Sequence, residues 1–448
     1  MRALLAAALS ALALVAAGCG GGGSTGVASG ATLGTDASQL VPPDATAFVS
    51  IDSNLDSAQW QRVDNLTKSF PARAKLLDTI RSELQKEGLT WKDDIAPALG
   101  NELDVAAFGT GDKLEYVAFA QPADAAKLNA LAAKVSQGTD KYTVEQIGGW
   151  SVVADSQELF AKVRAAQNGS SLADGAAFNA AWSSVPGNAL ARVYVNGSLT
   201  GTTKRLGTLR LAGEKADWYA ARVAADGDAL RLEVSSHSQA ATTAPKKQAL
   251  LADLPSGSAL ALAFHGSSDL LKGISSTKLA GKLPLKQLAP LLTGDGALYV
   301  RASGLIPDFA VELTPKDPQA ALTSARTLIS SLTGSLGVLQ LTAQLTNGKL
   351  VISDGPAAAN ALRAGSKLVD DSTYKDAVAA AGVPVQTSFV VYADVTELAP
   401  FIQLLAQALG SKAPNQALAE NLPHVGTVVA WGSQSGAVER YHLWVQPN

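Results

Sequence analysis

The chain has 448 residues, 47% of them hydrophobic and 17% charged, with a formal net charge of −3. That apolar content excludes a disordered polymer, and the near-neutral balance removes any electrostatic pull toward nucleic acid. One Cys and four His exclude a disulfide scaffold and a cysteine-rich metal site within one chain.

The N-terminus reads as an export signal. Arg2 supplies a positive start, Leu4 to Val15 an apolar run, and Ala16-Ala17-Gly18 the small residues of a cleavage region. The only Cys, Cys19, follows directly. This junction resembles a bacterial lipobox, with Ala16 where a Leu is usual. The resemblance implies cleavage before Cys19 and a lipid on its sulfur, which holds a protein stably at a membrane once two or more chains are attached. Residues 1–18 are therefore expected to be a lipoprotein signal peptide, and 19–40 a flexible Gly/Ser-rich tether. No later run has the roughly 18 uncharged apolar residues of a spanning helix. The expected location is the outer face of the cell membrane, with the membrane as a partner through Cys19.

Beyond the tether, Val41-Pro42-Pro43-Asp44 punctuates a strand in which Thr46, Phe48 and Ser50 alternate with Ala45, Ala47 and Val49. Similar phrases, a Pro-containing turn followed by a β-rich run, begin at Leu254, Val185 and Val383. Two helical patterns, Ser57–Phe70 and Arg73–Glu87, then precede Trp91 and Ile95. The strand and Ala/Leu-rich helix from Lys113 have a counterpart from Gly304, with turns at Pro122 and Pro315. The strand from Trp150 reaches Asp155 and that from Gly348 reaches Asp354, each placed to cap a helix. Short helices over Asp174–Trp182 and Ser372–Ala380 lead to the Val-Pro strands. Hairpins from Trp218 and Val428 are expected to turn at Asp226-Gly227-Asp228 and Ser433–Gly436.

Echoes about 200 residues apart exceed any solenoid period. They predict an α+β duplicated domain, each half an antiparallel sheet with helices covering one face, over 41–240 and 241–448. Two separate packed sheets and a single continuous one both remain open. The first half is enlarged over 55–98, most simply as a helical cover for the sheet; Ser267–Ser276 is its shorter equivalent.

Chemistry is sparse. His237, His265, His424 and His442 fall in no metal-ligand spacing, although His237 and His442 occupy similar hairpin ends. There is no G-x-S-x-G elbow, and Ser353-Asp354-Gly355 reads as a strand-to-helix turn. The glycines of GTGD at 109–112 and GDG at 294–296 read as hairpin turns without the Lys of a phosphate loop. Asp93-Asp94 and Asp370-Asp371 read as turns and caps. No catalytic residue, cofactor or metal is expected, and Cys19 is the one site residue. Trp182 and Trp218 read as core anchors.

The phrases LVPPDATAFVSID at 40–52, KSFPA at 68–72 and LEYVAFAQPADAAKL at 114–128 are similar to actinobacterial secreted proteins of the uncharacterised family DUF3352. The resemblance covers most of 38–448, implies an envelope protein and transfers no catalytic residue. The expectation is a non-enzymatic cell-envelope lipoprotein that binds an envelope partner or organises the envelope. The alternative is a carrier or sensor of an apolar or glycan ligand in a cleft between the halves.

Overall fold

A computed structural model describes residues 33–34, 36–110, 114–136, 141–198, 216–238, 244–266, 285–302, 307–333, 341–408 and 416–448. Cys19, the expected signal peptide of residues 1–18 and Ser267–Ser276 lie outside the described residues. The chain divides into two compact α+β units, one ending at Gln239 and the other running from Ala240 to Asn448.

In the first unit a 3-10 turn, Ala37–Gln39, precedes strand β1 (Ala47–Asp52). Helices α1 (Ala58–Thr67) and α2 (Pro71–Lys86), a π turn (Trp91–Ile95) and α3 (Ala96–Leu99) fill the enlarged region. Strands β2 (Glu102–Phe108) and β3 (Glu115–Ala120) lead to α4 (Ala125–Val135). Hairpin β4 (Thr143–Ile147) and β5 (Trp150–Ala154) leads to α5 (Gln157–Asn168) and α6 (Ala176–Ser184). β6 (Ala191–Asn196), β7 (Trp218–Asp226) and β8 (Ala229–His237) complete it.

The second unit runs β9 (Leu260–His265), α7 (Leu285–Leu288), β10 (Asp295–Arg301), β11 (Asp308–Thr314) and α8 (Pro318–Thr333). It continues with β12 (Leu341–Thr346), β13 (Lys349–Asp354), α9 (Gly355–Ala361), α10 (Ser372–Ala381) and β14 (Phe389–Asp394). α11 (Val395–Ala408), α12 (Gln416–Asn421), β15 (Thr427–Ser435) and β16 (Val438–Gln446) end it.

Strand order is β4-β5-β3-β2-β1-β6-β7-β8 in the first unit and β12-β13-β11-β10-β9-β14-β15-β16 in the second. These are the same order, and the neighbouring pairs within each unit are antiparallel.

Helices cover both faces of each sheet, not one. Because side chains alternate along a strand, Phe48 and Tyr194 share a face, and Phe178 and Trp182 of α6 pack on it edge-on and tilted. Val105, Ala118 and Val153 point the other way, under α3 and α4 through Leu99, Leu128 and Leu131. α1 covers Val223 and Ala225 of the same face through Trp60 and Val63. In the second unit Tyr374 of α10 meets Tyr392 on one face, while Ala321 and Ala325 of α8 pack with Leu313 and Leu350 on the other. One-sided alternation was the wrong inference because Ala and Val occupy both faces of these strands. Within 55–98 the covering is done by α1 and α3; α2 buries none of its side chains.

The folded body begins earlier than expected. Leu33, Gly34, Ala37, Ser38 and Leu40, assigned to the tether, are buried against the first unit. Gly34 has φ +75°, and a Cβ there would sit 2.5 Å from the Trp182 ring and 3.0 Å from Ser50. That close approach is available to glycine alone.

Smaller corrections follow from cap and turn geometry. The cap of α5 is Ser156, whose side chain accepts from Leu159 N, and not Asp155. Asp354 occupies the cap position of α9 without a side-chain cap bond. The first hairpin turns at Gly227-Asp228 as expected, but the second turns at Gly436-Ala437, after β15 has run through Ser433. Asp295 and Gly296 belong to β10 itself, Gly296 lying where a Cβ would strike Phe264.

Candidate functional site

The first unit carries a file of polar side chains across five neighbouring strands. Register places Asp104 opposite Ser50, Ser50 opposite Arg192, Arg192 opposite Arg222, and Arg222 opposite Glu233. All five lie on one face, the face covered by α6 and residues 33–40. Asp52 and Glu102 form the adjoining pair of the same face.

Each member is held differently. Arg222 and Glu233 make a two-pronged ion pair at 2.8 and 2.9 Å, and Arg222 Nη1 also donates to Asn188 O at 3.0 Å. Arg192 is 2% exposed, and the acceptors of its hydrogen bonds are carbonyl oxygens. Nη1 donates to Leu33 O at 2.8 Å, and Nη2 to Val185 O at 3.0 Å and to Trp182 O. Its guanidinium sits 3.9 Å from the Trp182 ring centre, an arrangement that favours the charged form. Burial, and then the charge of Arg222, lower its pKa to about 10, so it stays cationic at neutral pH.

The acids are more extreme. Asp104 is fully buried; neither carboxyl oxygen has a partner at ordinary hydrogen-bond length among the described residues, and Ser50 and Glu102 are the side chains that act on it. Burial, then the negative charge of Glu102, push its carboxyl well above the ordinary carboxylate range. An uncompensated buried carboxylate costs several kcal/mol, so the neutral acid is the form that fits. Glu102 Oε1 accepts from the Ser50 hydroxyl at 2.8 Å and from Gly34 N. Asp52 accepts from Asn54 N and from Ser57 Oγ, yet burial raises it to about 6.

The second unit supplies the contrast. The same register positions there hold Ala297, Ala263, Val390, Trp431 and His442. Trp431 and His442 stack at 4.6 Å where the first unit has its ion pair. The Asp52–Glu102 pair becomes His265–Asp295, with Nδ1 2.7 Å from Oδ1. Buried ionic groups are often replaceable by apolar ones without loss of stability. Two units of one strand order, one polar and one apolar along this file, show that the fold itself does not require the charges.

The residues singled out by sequence are dispersed. His237 ends β8, bonds Asp217 at 2.8 Å and stacks on Trp218. His442 lies in mid-strand, not at a hairpin end as expected. Asp371 caps α10 and accepts from Ser256 Oγ at 2.6 Å, and Asp94 closes the turn at Thr90. Trp60, Trp150, Trp182, Trp218, Trp431 and Trp444 are buried. Among the described residues no group of three or more His, Cys, Asp or Glu is arranged to hold a metal ion, and no helix is long and apolar enough to cross a membrane. The polar file escaped sequence reading because it is a property of register. Its signal was nonetheless present: comparing the two halves sets Ser50, Asp104 and Arg192 against Ala263, Ala297 and Val390.

No family model matches the chain, and no curated protein matches it. Among solved structures, crystal form III of TP0453 is 9% identical, covers 72% of this chain and 95% of its own, and has a TM-score of 0.16. Crystal form I of the same protein is 11% identical, covers 73% and 96%, and has a TM-score of 0.18. Likeness at that level carries no argument.

Proposed function

We propose that this protein is a non-enzymatic envelope lipoprotein, held by lipid on Cys19 at the outer face of the cell membrane, whose duplicated α+β body binds an envelope partner or organises the envelope. The observation that carries the reading is the joint between leader and body. Only residues 20–32 separate Cys19 from Leu33, and Leu33 and Gly34 are fastened to Arg192 and Glu102 in the sheet. Thirteen residues span at most roughly 45 Å. A body attached in this way stands close to the membrane, and tension on the leash passes into β2 and β6. The identical strand order of the two units supports their origin as a duplication. Burial of Asp104, Asp52 and Arg192 keeps these ionisable groups from a substrate, which supports a non-catalytic role.

Metabolic labelling with an alkyne fatty acid in a bacterial host tests the anchor. The wild-type chain should take up label and sediment with membranes; Cys19→Ser should lose the label. A wild-type chain that takes up no label, or a Cys19→Ser chain that still takes it up, would overturn the reading.

A further inference from the structure

Arg192 and Asp104 flank Ser50 in one register file, and neither has the partner that would normally complete it. The cation donates to three carbonyls, one of them Leu33 O from the N-terminal segment. The carboxyl oxygens of the acid have no partner at ordinary hydrogen-bond length among the described residues, and the side chains that act on it are those of Ser50 and Glu102. Residues 33–34 and 36–40 close the file from above: Gly34 lies against Ser50 and Trp182, and its N–H reaches Glu102. Lifting this strap removes one acceptor from Arg192 and one donor from Glu102. It also admits water to Asp104.

We propose that residues 33–40 form a proton-dependent latch, docked while Asp104 is protonated and released when Asp104 gives up its proton. The groups facing Asp104 are one-sided. β1 contributes Ser50 and Asp52, β2 contributes Glu102, and the strap contributes Asp36. β6 contributes Arg192, already committed to carbonyls; Arg222 beyond it on β7 is paired with Glu233. β3 offers Phe119 opposite. Under a closed strap, a second negative charge beside Glu102 has no dedicated counter-charge. With the strap lifted, water solvates that charge, and Arg192, freed from Leu33, can turn toward it. The closed form therefore holds the proton more tightly than the open form. Docking is fully favoured below the open-form pKa of Asp104 and weakens as pH rises toward the closed-form value.

Release would lengthen the leash by residues 33–40, about 25 Å of extended chain. That consequence rests on the lipid anchor at Cys19; the latch itself does not, so the test uses the full chain carrying Cys19→Ser. Hydrogen exchange of the 33–40 segment is followed between about pH 5 and pH 8.5, with each rate corrected for intrinsic exchange and referenced to β1. The expected result is about a tenfold or greater loss of protection across that range in the Cys19→Ser chain. Addition of Asp104→Asn should leave the strap protected throughout. Asp36→Asn, at an exposed position, should retain the transition but move it to higher pH, which serves if Asp104→Asn fails to fold. Protection independent of pH, an unchanged profile in Asp104→Asn, or an unmoved midpoint in Asp36→Asn would each overturn the latch.

Discussion

Arg192 and Val390 stand at the same register position in two units of one strand order, and they measure what a buried cation does there. Val390 needs only apolar neighbours. Arg192 satisfies the carbonyls of Leu33, Trp182 and Val185 from a single fork. Arg192→Met preserves much of the volume but leaves those buried acceptors short of a donor. It should lower the stability of the first unit by about 3 kcal/mol, read as a shifted urea midpoint. Val390→Met abandons no carbonyl, and its cost of about 1–3 kcal/mol should come from overpacking alone. The role of Arg192 was not legible in ARVYVNG. Alternation marked the strand, but its partner Leu33 lies 159 residues away, and no local pattern encodes that distance.

At the scale of elements, sequence reading worked where a residue type has one dominant backbone use and failed where two neighbours compete. Gly227 at φ +59° fixed the first hairpin turn. The run Gly432 to Gly436 offered two glycines, and only Gly436 takes the positive φ, at +60°; Gly432 is needed in the strand, where a Cβ would strike Phe389. Asp155 and Ser156 competed for the cap of α5, and the shorter hydroxyl won because its backbone is the extended one adjoining the first turn. Ser156→Ala should therefore cost about 1 kcal/mol of thermal stability, whereas Asp155→Ala should stay within about 0.5 kcal/mol. Equal effects would mean that both acceptors serve the helix start. For α2, Leu76, Leu77, Ile80 and Leu84 announce a helix correctly, but periodicity does not report depth, and all four remain only half-buried.

For the whole molecule, the two kinds of perturbed carboxyl impose opposite pH dependences. Asp371, held below the ordinary carboxylate range first by Ser256 and then by backbone donors, contributes stability that is present above an ordinary aspartate pKa and lost as pH falls. Asp52 is raised from 3.8 to about 6 by burial. Its folded form binds a proton that the unfolded chain has released, so its contribution is greatest below 3.8 and is lost as pH rises through about 6. A shift of that size corresponds to roughly 3 kcal/mol. Asp104 and, in the second unit, Glu312 move in the same direction, burial being the first cause for each. Stability should therefore peak near about pH 5, and the urea midpoint should fall between about pH 5 and pH 8, the reverse of ordinary acid-sensitive behaviour. Asp52→Asn should flatten that decline by an amount comparable to the whole Asp52 shift, because an amide cannot ionise. A midpoint that rises over the same interval would show that these carboxyls enter the fold ionised. For Asp104 the counter-charge would then have to be Arg192, which lies across Ser50 in the same file.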